Sequence, residues 1–263
     1  MLIDPQLQAM VDVADADWRP VLARGLQAVA AAQPDYLPQL LSGPFLPNGG
    51  RLLAAFAQPL DSVRYVLVGE GPYPRATSAT GVCFMDGAVG SLWSAAGLSK
   101  PVNRATSLRN FMKMLLVADG RLSPERTSGD ALISLAQEAQ AVGSPSIQTL
   151  GELQENLLAN GFLLLNAALV FRPEVPPIKE ARAWQPFLQT VLEALAARAE
   201  ERKQDAPTLV LWGKVAAQVE PLPIARRFPK AVAEHPYNLS FITSKPMQTL
   251  FGSMRLLERC VRD

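Results

Sequence analysis

Four short apolar runs punctuate the chain: SVRYVLVG at 62–69, FLLLNAAL at 162–169, TLVLWG at 208–213 and KAVAEHP at 230–236. Runs of this length, rich in Val and Leu and bounded by turn residues, predict buried strands. Between them the apolar period changes to that of a helix. Residues 14–32 carry it behind acidic N-cap candidates, SLRNFMKMLLVA follows a Ser107 cap, and TLGELQENLLANG runs from Thr149 to a Gly161 stop. A further helix is expected over 183–202, and PMQTLFGSMRLLERCVR closes the chain as another. Strands alternating with helices predict an α/β fold, a three-layer sandwich around a central four-stranded parallel sheet.

At 263 residues and 49% hydrophobic, the chain is long enough to bury a large core. One domain spanning 1–263 is expected, with a helical lead-in over about 1–60 and a polar insertion over about 120–148 around a short helical piece. There is no internal repeat. Lys and Arg number 25 against 24 Asp and Glu, so net charge neither demands nor excludes a polyanionic partner. Cys83 and Cys260 are too few for a four-cysteine metal site or a disulfide framework, so no metal and no cofactor is expected. No run approaches the roughly 18–20 apolar residues of a membrane span, and the start lacks a basic region followed by an apolar one. The expectation is a soluble, cytoplasmic monomer.

The chemistry gathers where the strands end. In an open parallel sheet, ligands bind beyond the carboxyl ends of the strands. Here those ends are Glu70, Asn166, Gly213-Lys214 and His235, expected together with Phe84 on one cleft. Gly69-Glu70-Gly71-Pro72 lacks both the third glycine of a dinucleotide fingerprint and the Lys-Ser of a P-loop, so a nucleotide-utilising enzyme rests on a weak motif. Glycines flanking Glu70 allow close approach of a ligand, and Pro72 and Pro74 stiffen the turn. Each of these residues also has a plain structural reading: a turn around Glu70, a backbone-satisfied amide at Asn166, a structural donor at His235, a core aromatic at Phe84. Against that, the Asn166 amide carries the donors and the acceptor that reading a nucleobase edge requires.

GEGPYP, GVCF, SLRNFMKML, GFLLLNAAL, LVLWGK and HPYNLSF, with Trp184, occur in the order and approximate spacing of the motifs of uracil-DNA glycosylases, and the chain resembles that superfamily from about Trp18 to Gly252. The resemblance implies a base turned out of single- or double-stranded DNA into a pocket. It makes Phe84 the stacking ring, Asn166 the uracil-reading amide and Tyr73 the side chain that excludes a C5 methyl. His235 becomes the donor to the uracil oxygen that gains charge, Leu239 the wedge, and Ser107 and Lys214 the phosphate grips.

The same stretch departs from the family. Its best-known branch has Gly-Gln-Asp-Pro-Tyr-His, whose Asp orients water, where this chain has Gly71; Glu70 replaces the Gln and Pro74 the His. Gly-Glu-Gly-Pro resembles the iron–sulfur branch instead, although two cysteines cannot build its cluster. Tyr237 and Asn238 stand where Ser and Pro are usual. Two readings follow. The first is a base-excision glycosylase, slower or of altered specificity, with Glu70 as its catalytic carboxylate. The alternative is a catalytically impaired, glycosylase-like protein that binds DNA or a base.

Overall fold

The structure, a computed structural model, describes residues 4–259. The lead-in forms α1 (Pro5–Val13), α2 (Arg19–Ala32) and α3 (Tyr36–Leu41), followed by 3-10 turns at Arg51–Phe56 and Leu60–Ser62. Then come β1 (Tyr65–Gly69), the short strands β2 (Trp93–Ser94) and β3 (Gly97–Leu98), α4 (Lys100–Arg104), α5 (Thr106–Ala118), α6 (Asp130–Gln140) and α7 (Leu150–Ala159). The second half holds β4 (Phe162–Asn166), α8 (Pro177–Glu201), β5 (Thr208–Trp212), α9 (Lys214–Val219), β6 (Lys230–Ala233) and α10 (Lys245–Phe251).

Among the described residues the main sheet has the four strands that the apolar runs predict, and their order is β4-β1-β5-β6. β1 lies parallel to both β4 and β5, with Gly69 opposite Asn166. β6 joins through bonds from Leu209 N–H to Pro229 O (2.9 Å) and from Gly213 N–H to Ala233 O (3.0 Å). The first three strands are buried along their centres, but β6 alternates exposed and half-buried positions. It is an edge strand rather than a fully buried one, covered on one face only.

The chain divides into two compact units. The first comprises 1–87, 161–211 and 215–230, the second 88–160, 212–214 and 231–263. In the first, Trp18, Phe56, Trp184 and Phe187 are fully buried and meet edge to face, with ring centroids 5.0–5.9 Å apart. Each such pair adds about 0.5–1.5 kcal/mol beyond the area it buries. Tyr36 O–H and Arg172 Nε–H both donate to the buried Glu180, the latter at 2.7 Å, so this carboxylate is paired rather than left alone in the core. In the second unit, Trp212 packs on Phe111 and Phe241 and donates its indole N–H to Met247 Sδ at 3.1 Å. The capping box Thr149/Glu152 starts α7 where the sequence predicts it.

Three expectations need correction. Ser107 is not a cap: Ala105 ends α4 and begins α5, which leaves Ser107 inside the first turn. The helix expected over 183–202 begins at Pro177, because proline's fixed φ suits the first helical turn. The closing helix stops at Phe251, with Arg255 at a left-handed φ of 47° soon after. Cys260 and the rest of that expected helix lie outside the described residues. Within 120–148, α6 buries Leu132, Leu135, Ala136 and Ala139, an apolar stripe hidden among polar residues, and Gly97 of β3 lies close against Leu132. No helix among the described residues is long and apolar enough to cross a membrane.

Candidate active site

In the first unit, the β1–β4 pairing continues past both strand ends. Ala167 N–H donates to Gly69 O at 2.8 Å and Ala168 N–H to Glu70 O at 3.1 Å. The backbone of Glu70 is therefore held by sheet-like bonds while its side chain is exposed and makes no hydrogen bond or ion pair with a described residue. A carboxylate so placed is available to water or to a developing cation.

Gly69 fills a tight place. A Cβ there would lie 2.7 Å from Asn166 Oδ1 and 2.9 Å from Cys83 Cβ. Without it, the Asn166 side chain could not sit where it does. Asn166 is 4% exposed, and its amide makes no hydrogen bond to a described residue, so its donors and acceptor are left for a ligand. The next glycine differs. A Cβ on Gly71 would meet only Ala168, at 3.5 Å and beyond, which is ordinary contact.

Cys83 ties the GVCF segment across the sheet. Its N–H donates to Leu164 O at 3.1 Å and its thiol to Leu67 O at 3.3 Å. Burial raises the thiol pKa, so this cysteine is a structural clamp rather than a nucleophile. Phe84 follows at φ 66°, a left-handed conformation that a bulky residue adopts only under constraint, at a cost of about 1–3 kcal/mol. Tyr73 O–H reaches Phe84 O at 3.4 Å. Burial, then the charges of Asp86 and Cys83, push the Tyr73 phenol up to about 12, so it is neutral at physiological pH.

The second unit carries His235 in the loop after β6. The backbone N–H of Tyr237 donates to His235 Nδ1 at 3.1 Å, so the neutral imidazole carries its proton on Nε2. Gly213, at φ +58°, lies under the ring's stem, where a Cβ would stand 2.8 Å from His235 Cβ. Lys214 follows, exposed and without an ion pair to a described residue. The loop itself is fastened by Asn110 of α5, which sequence reasoning missed although it lies inside SLRNFMKML. This fully buried amide donates to Pro236 O at 2.8 Å, Tyr237 O at 3.2 Å and Asn238 O at 3.4 Å. Glu234 adds two bonds, accepting from Asn238 Nδ2 at 3.1 Å and Ser240 Oγ at 2.5 Å, and these donors hold its carboxyl below the usual range. Leu239 stands 68% exposed from this fixed backbone. Ser107 lies half-buried in the first turn of α5.

Glu70, Tyr73, Phe84 and Asn166 thus belong to the first unit, and Ser107, Lys214, His235 and Leu239 to the second. Asn110 is a support that sequence reading passed over, and Gly69 and Gly213 seat Asn166 and His235, a role that reading did not give them. The only signal for Asn110 was a polar residue at an apolar position of a helical motif.

A four-stranded α/β sheet with polar residues at its strand ends defines a class of open-sheet fold whose ligands bind beyond those ends. A crystal structure of UNG from Nitratifractor salsuginis is 39% identical, covers 98% of this chain and 100% of its own, and superposes with a TM-score of 0.86. The uracil-DNA glycosylase of Mycobacterium bovis is 30% identical over 207 residues, 77% of this chain and 73% of that protein. That of Mycobacterium sp. strain KMS is 28% identical over 245 residues, 91% and 89% of the two chains. A mimivirus UNG, 15% identical with a TM-score of 0.53, shares the fold alone. No family model matches the chain. The chain belongs to the uracil-DNA glycosylase family.

Proposed function

We propose that the protein is a DNA base-excision glycosylase that hydrolyses the N-glycosidic bond of deoxyuridine, acting as a monomer with the whole chain as one glycosylase domain. The reading rests on family membership and on one observation above all: Asn166, a buried residue whose amide makes no hydrogen bond to a described residue, seated by a glycine that has no room for a side chain. Phe84 stacks on the flipped base, Asn166 pairs with its edge, and the neutral Tyr73 crowds the C5 position so that thymine's methyl is refused. Lys214 and the first-turn amides of α5 around Ser107 hold backbone phosphates, and Leu239 fills the emptied stack.

Bond cleavage leaves negative charge on the departing uracil and positive charge on the sugar. His235 donates from Nε2 to the uracil oxygen, an interaction stronger in the transition state than in the ground state. Water adds to the sugar carbon, its hydroxyl staying there and its proton leaving toward the Glu70 carboxylate. Glu70 takes the part that an Asp at position 71 plays in the best-known branch of the family.

Single-turnover release of uracil from single- and double-stranded oligonucleotides tests this. Glu70→Gln keeps the shape and loses the charge and proton acceptor, so the rate is expected to fall about 10²-fold or more. Gly71→Asp, which the local geometry admits, is expected to raise it. An active wild type indifferent to Glu70→Gln removes Glu70 from the mechanism, and a wild type that releases no uracil or related base overturns the reading.

A further inference from the structure

Among the described residues few large apolar side chains are exposed, and two of them stand two positions apart on one loop: Tyr237, 67% exposed, and Leu239, 68%. Leu239 has a role as the wedge. Tyr237 has none, and it occupies a position where the family resemblance leads one to expect serine.

The loop that carries it is unusually well fastened for a segment with so exposed a tip. Asn110 holds the carbonyls of residues 236–238, Asn238 N–H donates to His235 O at 2.9 Å, and Tyr237's own N–H is fixed on His235 Nδ1. The phenol makes no hydrogen bond to a described residue, and most of the side chain faces solvent. A rigid backbone presenting a flat aromatic ring, with only two side-chain torsions to freeze, is preorganised for stacking. The partner that suits a lone exposed ring beside a wedge is another flat apolar face.

The geometry points to Tyr237 as a second stacking prong, which lays its ring on a nucleobase left exposed when the target nucleotide leaves the duplex. This rests on the glycosylase reading and adds a binding residue to it. Leu239 fills the gap, and Tyr237 replaces the base–base stacking that flipping destroys. Every nucleobase offers a π-face, so the contact is indifferent to sequence.

The experiment uses a duplex with an abasic analogue flanked by 2-aminopurine, whose fluorescence reports stacking. Wild type, Tyr237→Phe, Tyr237→Ala, Tyr237→Ser and Leu239→Ala are compared for affinity and for the fluorescence change on binding, with circular dichroism to check folding. Removing the ring is expected to weaken binding about tenfold and to abolish the part of the fluorescence change that survives Leu239→Ala, while Tyr237→Phe behaves as wild type. Equal affinity and fluorescence in Tyr237→Ala and wild type, or a Tyr237→Phe as weak as Tyr237→Ala, overturns the proposal. The same preparations are assayed for uracil release: an inactive wild type fails the glycosylase reading, and the ring dependence of the fluorescence still decides on Tyr237.

Discussion

The two regions that carry the proposed site residues are made in opposite ways. Around Glu70 and Asn166 the backbone is held by sheet pairing that runs past the strand ends, and the polar tips make no hydrogen bond to a described residue. Around His235, side chains do the fastening, with Asn110 and Glu234 tying down a loop whose exposed tips are apolar. A group that must read a base edge needs unspent hydrogen bonds on a stiff frame. A group that must enter a base stack needs a stiff frame and unspent apolar surface. The frame comes from strands in one case and from a buried amide in the other.

The sharpest way to break this comparison lies within the strand-end region, between two neighbouring glycines. Gly69→Ala forces a Cβ to within 2.7 Å of Asn166 Oδ1, so the amide must move. Misplacing a reading group by about an ångström costs on the order of 10²-fold in rate. Gly71→Ala meets only ordinary contacts and is expected to change the rate less than about twofold. Single-turnover kinetics on both variants checks this; equal losses would show that the turn as a whole, not the seat of Asn166, matters.

For the loop, Asn110→Leu removes the donor to three carbonyls and buries them against an apolar group. Unsatisfied groups of this kind cost about 1–3 kcal/mol, read as a lowered urea midpoint. Because His235 is oriented from the same backbone, kcat is expected to fall about tenfold or more with KM for a preflipped, single-stranded substrate little changed. A loss of stability with no loss of kcat would make Asn110 a structural residue only.

A smaller effect is expected at Lys214, which is exposed and unpaired among the described residues. Lys214→Ala should weaken DNA binding equally for all sequences and reduce the slope of log K against log salt by about 1. An unchanged slope removes Lys214 from the phosphate contacts.

The smallest expected effect is a pH dependence carried by Tyr73. Its folded pKa is raised from 10.0 to about 12, so the unfolded chain loses this proton first. The contribution is fully present below about pH 10 and is lost as pH rises toward about 12. Tyr36, raised in the same direction by burial and by Glu180, adds a parallel loss. The measurement is therefore a difference: Tyr73→Phe should flatten part of the fall in urea-midpoint stability between pH 10 and 12 relative to wild type. An identical fall in both proteins would place the Tyr73 phenol in water rather than against Phe84.

Much of the molecule was legible because local pattern and global fold agree. The strand runs, the Thr149 capping box and the position of Glu70 just past β1 follow from periodicity and turn chemistry, which act over a few residues. The misreadings have local causes too. Ser107 reads as a cap until Ala105 is found serving two helices at once, and the helix at Pro177 begins earlier than its apolar stripe suggests. The closing helix stops at Phe251, and Arg255 beyond it adopts a left-handed φ that no propensity announces.

By itself, the sequence determined the order of elements and which polar residues stand at the strand ends, because each depends on spacing along the chain. Only the tertiary structure decided which glycine is indispensable, since Gly69 and Gly71 look alike until Asn166, 97 residues further on, is seen pressing against the first. Only it showed that Asn110 holds carbonyls more than a hundred residues away, and that the exposed Tyr237 hydroxyl makes no hydrogen bond to a described residue. Hydrogen bonds and excluded volume are set by distance in space, and a linear pattern carries no record of which distant residues that distance brings together.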